Sequence, residues 1–207
     1  QKLKKGLNMS QKEFWNSKFS QEEFLYGKKP NTFLASKIKL LKKESELLCL
    51  GEGEGRNAIF FAKRGFKVSA FDASDIGLAK LDKKAQEENL DIKTVCLDLN
   101  EWKSDKKYDV IVASYLHMYK DERIKLFEKI EDSLNPNAYF IGEFFSKKQL
   151  NFKSGGPKDE DLLYNVDDFN KNFLYCDKEV SEQEVILDEG KGHQGDASVI
   201  RVIIQKL

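Results

Sequence analysis

Gly51, Glu52, Gly53, Glu54 and Gly55 alternate between the apolar run "ELLCL" and the helix-like "RNAIFFAKR". Glycines at such a junction let the backbone turn sharply. They also let a ligand approach peptide N–H groups with no Cβ in the way. Asp72 ends the next apolar run, 21 residues after Gly51. A carboxylate there can accept hydrogen bonds from both hydroxyls of a ribose. Asp98 ends the third run on the same rim, where it could accept from an exocyclic amine such as that of adenine. Each aspartate alone also fits a helix cap or a turn. The three features at these offsets point to a nucleoside.

The spacing discriminates among nucleosides. A dinucleotide loop, G-x-G-x-x-G, needs glycine at 56, and the chain has Arg56. No Gly-Lys-Ser/Thr follows, which excludes a Walker loop. Two carboxylates beside the loop repel a pyrophosphate and suit a ligand with positive charge and no phosphate. S-adenosylmethionine, with its sulfonium and α-ammonium groups, fits that description. A nicotinamide dehydrogenase does not.

The elements that must position these residues read as α/β. Residues 11 to 25 and 32 to 43 read as two helices separated by "GKKPN". From residue 46, strand and helix alternate. "ELLCL", "KVSAFD", "IKTVCLD", "YDVIVASY" and "AYFIGEFF" are strands, and Ser74 caps a helix reaching about Asn89. "DERIKLFEKIEDSL" is a helix with Ile124, Phe127, Ile130 and Leu134 on one face. Such alternation implies βαβ units and a mostly parallel sheet. "EVSEQEVILDE" and "ASVIRVIIQ", joined by "GKGHQGD", form an antiparallel hairpin appended to it. The aromatics at 14 to 24 read as core packing rather than a stacking platform.

Bulk composition narrows the class. With 207 residues the chain fits one domain, 1–207, divided into N-terminal helices (1–45) and an α/β core (46–207). Thirty-five basic and 35 acidic residues cancel, so no global basic field for nucleic acid exists. Residues 158 to 189 carry eleven acidic residues against three lysines, which would repel phosphates. The first twenty residues lean basic, with Lys2, Lys4, Lys5, Lys12 and Lys18. Three scattered cysteines form no C-x-x-C pair and suggest neither a disulfide framework nor a metal site. Cys49 and Cys96 are expected to be buried thiols. No run reaches membrane-spanning length, so the expectation is a cytoplasmic protein without a membrane partner. The sequence begins at Gln1, with Met9 a candidate initiator.

The chain resembles class I S-adenosylmethionine-dependent methyltransferases, and within them the tellurite-resistance and thiopurine methyltransferase-like group. "FWNSKFSQEEFLYGKKPNTFL", "LGEGEGRNAIFFAKRGFKVSAFDAS", "YDVIVASYLHM", "SGGPKDEDLLYN" and "LDEGKGHQGDASVIRV" carry the resemblance. It implies a three-layer Rossmann-like fold: a seven-stranded, mostly parallel sheet with an antiparallel last strand and the N-terminal helices as a lid. The donor site would comprise Gly51, Glu52, Gly53, Gly55, Arg56, Asn57, Asp72, Ala73, Ser74, Asp98, Leu99, Ser114 and Tyr115. The family usually carries an acidic residue two places before the first glycine, and here that place is Cys49. Glu52 is expected to supply the missing charge.

The same resemblance puts His117 near the transferred methyl, where it accepts a proton from the acceptor or hydrogen-bonds to it. His117 also fits as a cap of the following helix. Tyr26, Gly155, Gly156, Pro157 and His193 would border the acceptor, with "SGGPK" as a mobile loop over it. His193 fits equally as a turn residue. The implied activity is methylation of a small acceptor: a thiol, an arene, or a chalcogen oxyanion such as tellurite or selenite. A monomer or homodimer is expected. The alternative from another class is a sensor that binds the donor or its demethylated product and transfers nothing.

Overall fold

Alternation of apolar and amphipathic segments from Glu46 onward builds one seven-stranded sheet with the spatial order β3-β2-β1-β4-β5-β7-β6. A computed structural model describes residues 9–207, and Lys2, Lys4 and Lys5 of the basic lead lie outside it. The strands are β1 (Glu46–Leu50), β2 (Lys67–Asp72), β3 (Ile92–Cys96), β4 (Tyr108–Ser114), β5 (Leu134–Phe145), β6 (Cys176–Glu189) and β7 (His193–Lys206). β1 to β5 run parallel, and β7 runs antiparallel to both β5 and β6. This is the expected Rossmann-like arrangement with its last strand reversed.

The chain winds outward from β1 in one direction and from β4 in the other. The crevice between their carboxyl ends is where open α/β sheets place ligands. Leu50 and Ala113 pair there, and the glycine loop and Ser114 follow them directly.

Helices cover both faces: α1 (Gln11–Phe19), α2 (Thr32–Ser36), α3 (Arg56–Ala62), α4 (Asp75–Glu87), α5 (Lys120–Ser133) and α6 (Val166–Asn170). Leu48, Ile111, Phe140, Phe127 and Ile130 anchor one core layer, and Leu47, Val112, Phe61 and Leu81 anchor the other. Apolar residues on both alternating faces of β1 and β4 reflect that double cover. Ser74 caps α4 by accepting from the Gly77 N–H at 2.9 Å, as its sequence position suggests.

Four expectations need correction. The first helix stops at Phe19, and residues 20–31 cross the glycine loop without regular structure. Lys80 secures that strap by donating to the carbonyls of Gln21 (2.5 Å) and Glu23 (3.2 Å). The second helix is short, α2 followed by a 3-10 turn over Ile38–Leu40. Cys96 is exposed because β3 is an edge strand, whereas Cys49 is buried. On α5, Ile124 faces outward and Arg123 turns in at 2% exposure. Arg123 donates to the Leu163 and Asp161 carbonyls and pairs with Asp168 at 3.2 Å, which fixes the segment before α6.

Candidate functional site

The three loop glycines have φ values of +59°, +59° and +91°, the left-handed region where side chains are strained. Space forbids side chains as well. A Cβ on Gly51 would lie 2.5 Å from Leu116 Cδ1, and one on Gly55 would lie 2.3 Å from Leu81 Cδ1. The loop therefore folds tightly against the strand ends and leaves its peptide edge to a cavity.

That cavity is bounded by Gly51 to Arg56, Asp72, Ser114 to His117, Tyr26, Gly27, His193, Trp15 and Phe19. A second space adjoins it and is bounded by Asp72, Ala73, Asp98, Leu99, Met118 and Gln11. Trp15, Gly51, Asp72, Leu116 and His117 border both. The structure thus gathers most of the expected residues at the switch point. Asn57 and Ser74 stand behind the wall. Asn57 donates to Ser114 Oγ (3.0 Å) and accepts from the Asn31 N–H (2.8 Å), while Ser74 donates to Asn16 (2.6 Å).

Asp72 accepts from the Gly53 N–H (2.8 Å) and the Ser74 N–H (2.7 Å). Burial raises its pKa despite these bonds. Glu52 accepts from the N–H groups of Asn57 (2.8 Å) and Ala58 (2.7 Å), which are the free donors at the start of α3. The helix terminus that would grip a phosphate is therefore already occupied by a carboxylate. Burial pushes the Glu52 carboxyl up to about 7, against the pull of the Ala58 N–H. Glu54 departs from its expected role: it pairs with Lys80 at 2.6 Å and accepts from the Leu25 N–H at 2.8 Å. Its charge fastens the strap.

On the opposite wall, Arg56, Tyr115 and His193 line the cavity and are held from behind by residues far apart in sequence. Glu189 accepts from Arg56 Nη2 (3.0 Å) and Asn31 Nδ2 (3.2 Å), and sits 3.4 Å from His193 Nδ1. Glu143 accepts from Tyr115 Oη (2.6 Å), Asn31 Nδ2 (2.8 Å) and Arg201 Nε (2.6 Å). Tyr115 carries φ +52°, a left-handed value unusual for a side-chain-bearing residue. His193 packs between the rings of Tyr26 (4.4 Å), Tyr115 (4.5 Å) and Phe145 (5.0 Å).

His193 opens β7, because the link from β6 is only the turn at 190–192. The hairpin is tighter than the sequence suggested, and Glu189 and His193 pair directly across it. Gly155 and Gly156 lie behind His193 and Phe145, and neither they nor Pro157 line the cavity. Gln149 donates to Ser154 Oγ and the Gly155 carbonyl, and Gln194 N donates to Ser154 O. The expected mobile loop is a pinned buttress.

Trp15, Phe19, Glu189, Asn31 and Glu143 escaped the sequence reading. Trp15 stacks on Phe19 and lies 5.3 Å from the His117 ring, so part of the aromatic cluster forms cavity wall. The spacing of Glu189 and His193 across a glycine turn was a usable signal for that pair. Among the described residues, no three His, Cys, Asp or Glu side chains assemble as metal ligands, and no helix is long and apolar enough to cross a membrane.

Comparison with known proteins identifies the fold and the family. A probable S-adenosyl-L-methionine-dependent methyltransferase TehB from Haemophilus influenzae (strain 10810) is 29% identical over 96 residues, 45% of this chain. That stretch spans only 34% of the relative's length. The crystal structure of TehB from Haemophilus influenzae superposes with TM-score 0.70 at 16% identity, covering 96% of this chain and 68% of that one. An S-adenosylmethionine-dependent methyltransferase from Clostridium acetobutylicum gives 0.64 at 15% identity, covering 97% and 93%. At such identities these likenesses show the fold. The family model described as tellurite resistance protein TehB matches residues 10–141, more than half of the sequence, and the chain belongs to that family.

Proposed function

We propose that this protein transfers the methyl group of S-adenosylmethionine to a small acceptor. The observation that carries the reading is the pair of joined spaces at the switch point. One is bordered by Asp72 and Asp98, the other by the glycine loop and two histidines. Asp72 would hold the ribose hydroxyls and Asp98 the adenine edge, with Ala73 and Leu99 beside the base. Glu52, Gly51, Gly53 and Gly55 would take the amino-acid end, with Arg56, Ser114 and Tyr115 adjoining. Asn57 and Ser74 would brace the loop and the start of α4. The donor, when bound, supplies an activated methyl carbon, and the chain supplies alignment.

His117 borders both spaces, and its buried Nε2 has no partner among the described residues. Burial lowers its pKa to about 4, so it stays neutral and can hydrogen-bond a group at the junction. Tyr26 and His193 would border the acceptor, with Gly155, Gly156 and Pro157 supporting them from behind. Residues 1–45 would act as the lid and 46–207 as the core of one methyltransferase domain in the cytoplasm. A thiol, an arene, or a chalcogen oxyanion such as tellurite or selenite would suit the aromatic, partly charged cavity. No nucleic acid is expected there.

Calorimetric titration with S-adenosylmethionine and S-adenosylhomocysteine tests the donor site. Wild type should bind both, and Asp72→Asn should bind about thirtyfold more weakly, the loss of one charged hydrogen bond. Binding of NADH or ATP but of neither sulfur ligand would overturn the reading. Label transfer to thiols, selenite or tellurite separates an enzyme from a sensor, which would bind and never turn over.

A further inference from the structure

The charged cluster around His193 is more than packing. Glu189 is held at both carboxylate oxygens, Oε1 by Asn31 and Oε2 by Arg56, and it is 8% exposed. It can therefore move little, and it places Oε2 against His193 Nδ1. A carboxylate in that position favours the proton on Nδ1 and leaves the Nε2 lone pair free. His193 borders the main cavity, and its recorded hydrogen-bond contact runs through Nδ1 to Glu189. Arg56 adds a second signal. Its Nη1 is buried, unpartnered among the described residues, and belongs to a residue on the same cavity. An orphan guanidinium N–H in a low-dielectric space favours negative charge developing beside it.

We propose that His193 is the proton acceptor of the methyl transfer, with Glu189 as its positioning residue. The acceptor then arrives with a proton on its nucleophilic atom, as a neutral thiol does. This deepens the methyl-transfer reading and rests on it. The thiol proton passes to His193 Nε2. The electron pair left on sulfur forms the new bond to the methyl carbon. The pair of the broken sulfonium–carbon bond stays with the donor as its thioether. Arg56 stabilises the thiolate character that develops on the way.

The groups facing His193 are consistent with this role. Glu189 comes from β6, Arg56 from α3 and Glu143 from β5. Tyr26 comes from the strap, and Tyr115 and His117 from the segment after β4. Burial holds His193 below an ordinary histidine, with Glu189 offsetting part of it, so the ring is neutral at neutral pH and free to take a proton. Among the described residues no carboxylate is hydrogen-bonded to His117, which leaves it the hydrogen-bonding role.

Two measurements test the proposal. In heteronuclear NMR of protein with isotope-labelled histidine, assigned with a His117→Gln variant, His193 should carry its proton on Nδ1 at neutral pH. The opposite tautomer, or a doubly protonated ring, overturns it. Kinetics then use benzyl mercaptan, protonated at neutral pH, and para-nitrothiophenol, already ionised. For His193→Gln and Glu189→Gln, kcat/KM should fall about a hundredfold with the first thiol and less than about threefold with the second. Equal losses would mean a structural role and overturn the proposal. So would donor binding by calorimetry without turnover of either thiol, which leaves methyl transfer to another acceptor standing. Absence of donor binding would sink the methyl-transfer reading itself.

Discussion

The cavity has two walls that stabilise buried carboxylates in different ways. On the glycine-loop wall, Asp72 and Glu52 accept from backbone N–H groups, which are neutral. On the hairpin wall, Glu143 and Glu189 accept from Arg201, Arg56, Tyr115 and Asn31. Backbone donors leave the first wall with uncompensated negative charge, and burial raises the pKa of both of its carboxyls. Two guanidinium groups balance the second wall, and Glu189 falls below the usual carboxylate range because His193 and Arg56 outweigh its burial. One cavity thus offers a cation-seeking side and a nearly neutral side rich in donors. That division would suit the proposed cationic methyl donor and an uncharged or anionic acceptor.

The comparison breaks first at the backbone. Gly55→Val should cost about 4 kcal/mol in urea unfolding, because a left-handed φ and the overlap with Leu81 add together. A loss under about 1 kcal/mol would mean the loop is not the rigid frame of its wall. Glu143→Ala attacks the other wall and should cost about 3 kcal/mol, since Arg201 and Asn31 lose a buried partner. If Glu143→Ala unfolds no sooner than wild type, that wall is not held by its side-chain charges.

The smallest effect sharpens the contrast through pH. The Glu52 carboxyl, raised to about 7 by burial, sits above its unfolded value. Stability linked to its proton is therefore present below the unfolded pKa and lost as pH rises through about 7. Affinity for a cationic ligand runs the other way, rising about tenfold from about pH 6 to about pH 8 as the carboxylate ionises. Glu52→Gln should flatten both trends in calorimetry and unfolding. A steep rise that survives the substitution would place the ionising group elsewhere.

The two walls also differ in how far the sequence reveals them. The loop wall is local: Gly53 reaches Asp72 across 19 residues, and Asn57 reaches Glu52 across five. Glycine spacing and strand-end aspartates encode such contacts directly, so the glycine loop, the Asp72 beside it and the succession of β1 to β5 along the chain were legible. The hairpin wall joins Asn31 to Glu189 across 158 residues and Arg56 to Glu189 across 133. No spacing rule reaches that far, and Asn31 read only as part of a turn. Ile124 and Arg123 exchanged places for a related reason. Periodicity marks apolar residues, while Arg123 goes inward to reach carbonyls that only the folded chain supplies. Cys96 was misplaced because an apolar run does not announce which strand will lie at an edge.

Trp15 borders both spaces at the strand ends, whereas the second tryptophan, Trp102, is buried against Phe71 in the core. The molecule therefore contains its own optical gauge and its own reference. Indole emission from Trp15 will respond to anything that enters beside it, while that from Trp102 reports only whether the chain is folded. Replacing Trp102 with phenylalanine would leave a single-tryptophan protein in which occupancy is read without any added dye.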